Sequence, residues 1–276
     1  MPKPLLRRLA LIAAACLAPM GGTAQADSGL TRLTERDDVF GLEAVGRLDI
    51  GDASCSGALI AADLVLTAAH CLFDRKSRRP RDLSRALFSA SLRDGKALFQ
   101  SAVLRAVPRE GFVPLAPVSR DNIVQDVALI QLASPVSTAI IAPYAVDAAP
   151  EAGAAVSVVS YAVGRLEAPS WQRSCRVVER DAEALALSCD VNFGSSGAPV
   201  FGGEGRRRRI VSLISSGYRD GERHIAFGMV LPEAVAELKA ALRAGRGVIE
   251  AGAATPRRFG ADINGKASSG AKFLRP

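Results

Sequence analysis

The stretch CSGALIAADLVLTAAHC, residues 55–71, sets two short apolar runs in succession and then places His70 between Cys55 and Cys71. Runs of four or five apolar residues are strand-length. Asp63 breaks them apart, as a turn residue would. The chain holds only two histidines, so the position of His70 asks for an explanation. A histidine near a strand end is by itself compatible with a structural role. One that does chemistry needs partners that lie far away in sequence.

The same pattern recurs along the chain. Strand-length runs are read at 45–50, 57–60, 64–68, 85–92, 98–107 and 127–132, and again at 156–162, 172–179, 185–190, 199–201, 210–215 and 225–230. Gly, Pro, Asp and Arg clusters separate them. Many short strands without intervening helical patterns argue for an antiparallel all-β sandwich or barrel. Residues 139–153, rich in Ala and Pro, read as a connector between two β units. One helix is expected over 232–242, with Val235, Leu238 and Leu242 on one face, Pro232 at the start and Gly245 at the stop. From Gly252 to Pro276 large apolar residues are sparse, and a flexible tail is expected.

A chain of 276 residues with 49% hydrophobic content has enough material for one large or two small cores. Its start, MPKPLLRRLALIAAACLAPMGGTAQA, has the charged, apolar and Ala-x-Ala regions of a secretory leader, so residues 1–26 are expected to be removed before Asp27. No segment approaches the ~20 uninterrupted apolar residues of a membrane span. Cys16 leaves with the leader; Cys55, Cys71, Cys175 and Cys189 remain. An even count in an exported chain suggests two disulfides, with three pairings open. Two histidines and no Cys-x-x-Cys argue against a zinc site. The formal charge of +7 falls once Lys3, Arg7 and Arg8 leave, and the four arginines at 206–209 read as a solvated hairpin turn rather than a nucleic-acid face.

Two further stretches offer partners for His70. In CDVNFGSSGAPVF, residues 189–201, small residues surround Ser196 between two strands. A nucleophilic serine needs such a tight turn, with backbone N–H groups free to point at one spot. Gly194 and Ser196 are the candidate donors. In DVALIQL, residues 126–132, Asp126 opens a buried-looking strand, where it can orient an imidazole.

Thr-Ala-Ala-His-Cys, Asp-Val-Ala-Leu-Ile and Gly-x-Ser-Gly-x-Pro, in that order, resemble the chymotrypsin/trypsin-like serine proteases. The resemblance runs from about Glu43 to Leu242. It implies two six-stranded antiparallel β-barrels with a C-terminal helix, here 27–141 and 142–251. It implies that His70 is the base, Asp126 its orienting acid and Ser196 the nucleophile, with no cofactor. It also implies a Cys55–Cys71 disulfide, which leaves Cys175 to pair with Cys189. Ser195 stands where animal trypsins carry the Asp that pairs with a newly cut N-terminus, and no Ile-Val-Gly-Gly start precedes Val45. The chain is therefore more similar to the compact bacterial branch, the V8-like glutamyl endopeptidase group. That group often carries a His on the strand after the nucleophile, and the strand at 210–216 has none.

The expected function is a secreted or periplasmic serine endopeptidase acting as a monomer on protein or peptide substrates, without nucleic-acid or membrane partners. Asp190 lies six residues before Ser196, where the resemblance to the trypsins implies a carboxylate at the base of the primary specificity pocket, so a preference for Arg or Lys is expected. Ser212, Ile214 and Gly228 are expected to border that pocket. His224 sits in a Gly/Arg-rich stretch and is expected to be dispensable. The competing expectation is a catalytically inactive homologue that acts as a binding protein.

Overall fold

The computed structural model describes residues 29–220 and 223–252. The expected leader, and the tail beyond Gly252, lie outside the described residues.

The first sheet is built from β2 (Val45–Ile50), β3 (Ala53–Leu59), β4 (Leu64–Thr67), β5 (Leu87–Ala90), β6 (Phe99–Pro108) and β7 (Ala128–Leu132). Its order is β6-β5-β2-β3-β4-β7, and β6 also pairs with β7, so six strands close into a barrel. Alternation along β2 buries Leu48 and Ile50 while Arg47 and Asp49 stay half-exposed and pair with each other at 2.9 Å. Leu48, Ile50, Val65, Phe88 and Ile130 fill the interior.

The second sheet holds β8 (Ala155–Ser160), β9 (Ser170–Arg180), β10 (Ala184–Leu187), β11 (Pro199–Gly202), β12 (Arg209–Leu213), β13 (Ser216–Asp220) and β14 (Arg223–Met229). They run in the order β12-β11-β8-β9-β10-β14-β13. The two barrels expected from the sequence are thus both present, and the second closes less fully than the first, because the described residues show no backbone pairing between β12 and β14. A side chain spans the gap instead: Ser212 Oγ donates to Met229 C=O at 2.8 Å. Gly228 allows the approach, since a Cβ there would collide with Leu213 C=O and Ser212 Oγ. This half is a barrel left open along one seam.

Each half lends the other a terminal strand. β1 (Leu30–Arg32) pairs with β9, and β15 (Ile249–Glu250) pairs with β6. Between the sheets lies a shared core that includes Val45, Leu66 and Leu129 from one side and Val159, Tyr161 and Phe201 from the other. The C-terminal helix α2 (Pro232–Ala244) starts on Pro232, stops on left-handed Gly245 and buries Val235, Leu238 and Leu242. It packs against β6 and β7 of the first barrel, with Glu237 accepting from Arg109 Nε at 2.8 Å. A second helix, α1 (Arg120–Gln125), has only six residues and was not anticipated; Ser119 caps it by accepting the Asn122 N–H.

Candidate active site

His70 sits in a 3₁₀ turn, Ala69–Leu72, immediately after β4. The Cys55–Cys71 disulfide, with 6.4 Å between Cα atoms, ties that turn to β3. A loop of this size is worth about 3 kcal/mol in the chain-entropy account. Asp126 ends α1 as its C-cap and is only 3% exposed. Its Oδ1 accepts the His70 backbone N–H at 2.8 Å, and Oδ2 lies 2.7 Å from His70 Nδ1. Oδ2 also accepts the Ser215 hydroxyl at 2.6 Å. A carboxylate against Nδ1 selects the tautomer with hydrogen on that nitrogen, which leaves Nε2 to accept.

The second half supplies the loop between β10 and β11. Gly194 has φ +93°, and a Cβ there would lie 2.7 Å from Tyr161 C=O; Gly197 has φ +74° and is pressed against Ser56 C=O and Thr67 Oγ1. Only glycine takes these conformations at such close approach without strain. The loop is then pinned by backbone hydrogen bonds. Ser195 N–H donates to Asn192 C=O at 2.9 Å, Gly197 N–H to Ile214 C=O at 2.7 Å, and Ser56 N–H to Ser196 C=O at 2.8 Å. Val163 N–H donates to Phe193 C=O at 2.7 Å. Because the peptide unit is planar and trans, that bond turns the Gly194 N–H away from residue 163. Neither the Gly194 N–H nor the Ser196 N–H has a hydrogen-bond partner among the described residues.

His70, Asp126 and Ser196 all border one cleft of about 600 Å³. No hydrogen bond joins Ser196 Oγ to His70 among the described residues; in resting enzymes this contact often tightens only when substrate arrives. Phe73, Phe112, Leu115, Val118, Phe193 and Tyr218 give the cleft apolar walls, and the Arg75 guanidinium stacks 5.5 Å above the Phe193 ring.

Of the expected pocket residues, Ile214 borders the cleft. Ser212 and Gly228 do not; they are buried at the seam between β12 and β14, where small size serves strand approach. Asp190 is 9% exposed and lies outside the cleft lining, with His224 Nδ1 2.6 Å from its Oδ1. His224 is thus a strand residue of β14 with a charged partner, rather than an isolated loop side chain. Cys175–Cys189, with Cα atoms 5.1 Å apart, joins β9 to the chain just before the Ser196 loop. Sequence reasoning missed Ser215, the third donor to Asp126, and Val191 and Gly217 in the cleft wall. A lone Ser or Val in a segment between strands carries no local signal of what it faces.

The description of the trypsin-like peptidase domain matches residues 55–207, more than half of the chain. No curated protein matches the sequence. Among solved structures, the fold is similar to a Glu endopeptidase in complex with MPD, at 19% identity and TM-score 0.66, covering 79% of this chain and 98% of that one. It is also similar to a thermostable serine protease, AL20, from an extremophilic microorganism, at 20% identity and TM-score 0.59, covering 72% and 97%. The matched domain contains the His70 turn, Asp126 and the Ser196 loop, and on that match the chain belongs to the trypsin-like peptidases, a family of serine endopeptidases.

Proposed function

We propose that this protein is an exported endopeptidase that hydrolyses peptide bonds through Ser196, His70 and Asp126. The observation that carries the reading is the pairing of two arrangements in one cleft: the His70–Asp126–Ser215 hydrogen-bond chain, and two unpartnered N–H groups at Gly194 and Ser196. Ser196 Oγ attacks the carbonyl carbon while His70 Nε2 takes its proton. The electron pair moves onto the carbonyl oxygen, held by the two N–H groups. Collapse breaks the C–N bond, and His70 returns the proton to the leaving amine. Water then adds to the acyl-enzyme by the same route and frees Ser196. Asp126 holds the ring and stabilises the imidazolium.

Two disulfides in a chain with an apparent leader support export to an oxidising compartment. Among the described residues no helix is long and apolar enough to cross a membrane. An Arg or Lys preference through Asp190 would require the substrate cation to displace His224 from that carboxylate.

The test is a fluorophosphonate label with peptidase assays on the wild type, Ser196→Ala and His70→Ala. One serine should react, and each substitution should lower turnover by roughly 10⁴–10⁶, with the double variant little worse than either single. Folded Ser196→Ala protein that keeps most of its activity would exclude this mechanism.

A further inference from the structure

Beside Ser196 the cleft is bounded by two facing segments, 191–193 and 214–217. They touch. A Cβ added to Gly217 would lie 2.5 Å from Val191 Cγ2, so a Val191 methyl group is seated directly on the Gly217 backbone. Asp190 precedes Val191 in the chain, yet neither Asp190 nor His224 borders the cleft. The two side chains are 10% and 20% exposed, and they are bonded to each other. Arg165 adds a further attraction to the Asp190 carboxylate, against a burial that disfavours its own charge. Asp190, His224 and Arg165 therefore answer one another outside the cleft lining, while Val191, Ile214, Ser216 and Gly217 belong to the cleft wall that also holds Ser196.

Resting on the catalytic reading above, we propose that Val191 is the residue that sets primary specificity. It closes a shallow pocket that accepts an alanine-sized side chain immediately before the scissile bond. A larger side chain must push Val191 off Gly217. An Arg or a Glu must in addition leave water for a wall of Val191, Ile214, Ser216 and Gly217, none of which carries a charge, and a buried unpaired charge is strongly disfavoured. Differences of one or a few methylene groups against such a wall are worth about ten-fold or more in discrimination.

The experiment uses matched peptides that differ only at that position, carrying Gly, Ala, Leu, Phe, Glu or Arg. Wild type should cleave the Ala peptide with kcat/KM about ten-fold or more above the Leu, Phe, Glu and Arg peptides. In Val191→Gly the Leu/Ala and Phe/Ala ratios should rise by a similar factor, with Val191→Ala intermediate should the glycine variant fold poorly. A separate readout keeps pocket and chemistry apart: affinities of product peptides ending in Ala, Leu, Phe or Arg for Ser196→Ala protein. Tighter binding of the Ala product supports the pocket even where fluorophosphonate labelling fails and the catalytic reading falls. Wild type that takes Phe, Glu or Arg as readily as Ala overturns the proposal, as do ratios unmoved in both folded Val191 variants.

Discussion

Ser56 joins three parts of the molecule with one hydroxyl. It is fully buried in β3, its Oγ accepts the Tyr161 N–H at 2.9 Å, and it donates to the Gly194 carbonyl at 2.9 Å. Its own C=O accepts from Thr67 Oγ1 at 2.8 Å. Replacing it with Ala strands the Tyr161 N–H and the Gly194 C=O inside the protein. Leaving buried polar groups without partners costs about 1–3 kcal/mol, so Ser56→Ala should lower the unfolding free energy by that amount, seen as a lower urea midpoint at unchanged slope. A midpoint within error of wild type would mean that the loop does not lean on this hydroxyl. Nothing near Ser56 in the sequence foretells this role, because its partners lie 105 and 138 residues away. The Asp190–His224 pair and the Val191–Gly217 contact were hidden for the same reason. His70, Asp126 and Ser196 were legible because each sits in a short local pattern of its own.

Among the elements, α1 has the most exacting position, since its last turn delivers Asp126 to His70. Arg120 at its start reaches the turn between β9 and β10, donating to Asp181 at 2.6 and 3.1 Å and to Glu183 at 3.2 Å. Arg120, together with the Glu183 and Ala184 N–H groups, holds the Asp181 carboxyl well below the usual carboxylate range. A value depressed by folding adds stability above the unfolded pKa of about 3.9, and that share is lost as pH falls through the folded value. Asp181→Asn should therefore unfold at a lower temperature than wild type at neutral pH. The gap should narrow progressively below about pH 4 and with added salt. The effect is modest because the pair is half-exposed. A gap that widened in acid would reverse the sign of this argument. Strands with apolar runs or clear alternation were readable, as β2, β4 and β7 show. β13, written Ser-Gly-Tyr-Arg-Asp, was not, because an edge strand with polar residues lacks the alternation of a half-buried one. The six residues of α1 are too few to establish a helical period.

At the scale of the whole molecule, the proposed reacting groups come from different halves, so the cleft exists only while both are docked. His70 and Asp126 belong to the first barrel and Ser196 to the second. A protease of this build can keep itself inactive by leaving the nucleophile loop unformed until a new N-terminus supplies a charge. Here the loop is held by neutral partners. Ser195 is fully buried; its hydroxyl donates to Ser160 Oγ at 3.2 Å and accepts the Asn192 N–H at 3.3 Å. The Phe193 carbonyl is held by Val163, the Gly194 carbonyl by Ser56, and the Ser196 carbonyl by the Ser56 N–H. β1, at the start of the described chain, is engaged with β9 as a strand. No member of this network needs a charge created by cleavage. Protein expressed from Asp27 in an oxidising compartment should therefore react with a fluorophosphonate and cleave peptides as purified, with no added protease and no lag. Ser195→Ala, which removes both side-chain contacts, should lower kcat more than it raises KM, because the N–H pair acts on the transition state. Activity that appears only after a further N-terminal cut, mapped by mass spectrometry, would show that the loop waits for a signal that its hydrogen bonds do not reveal.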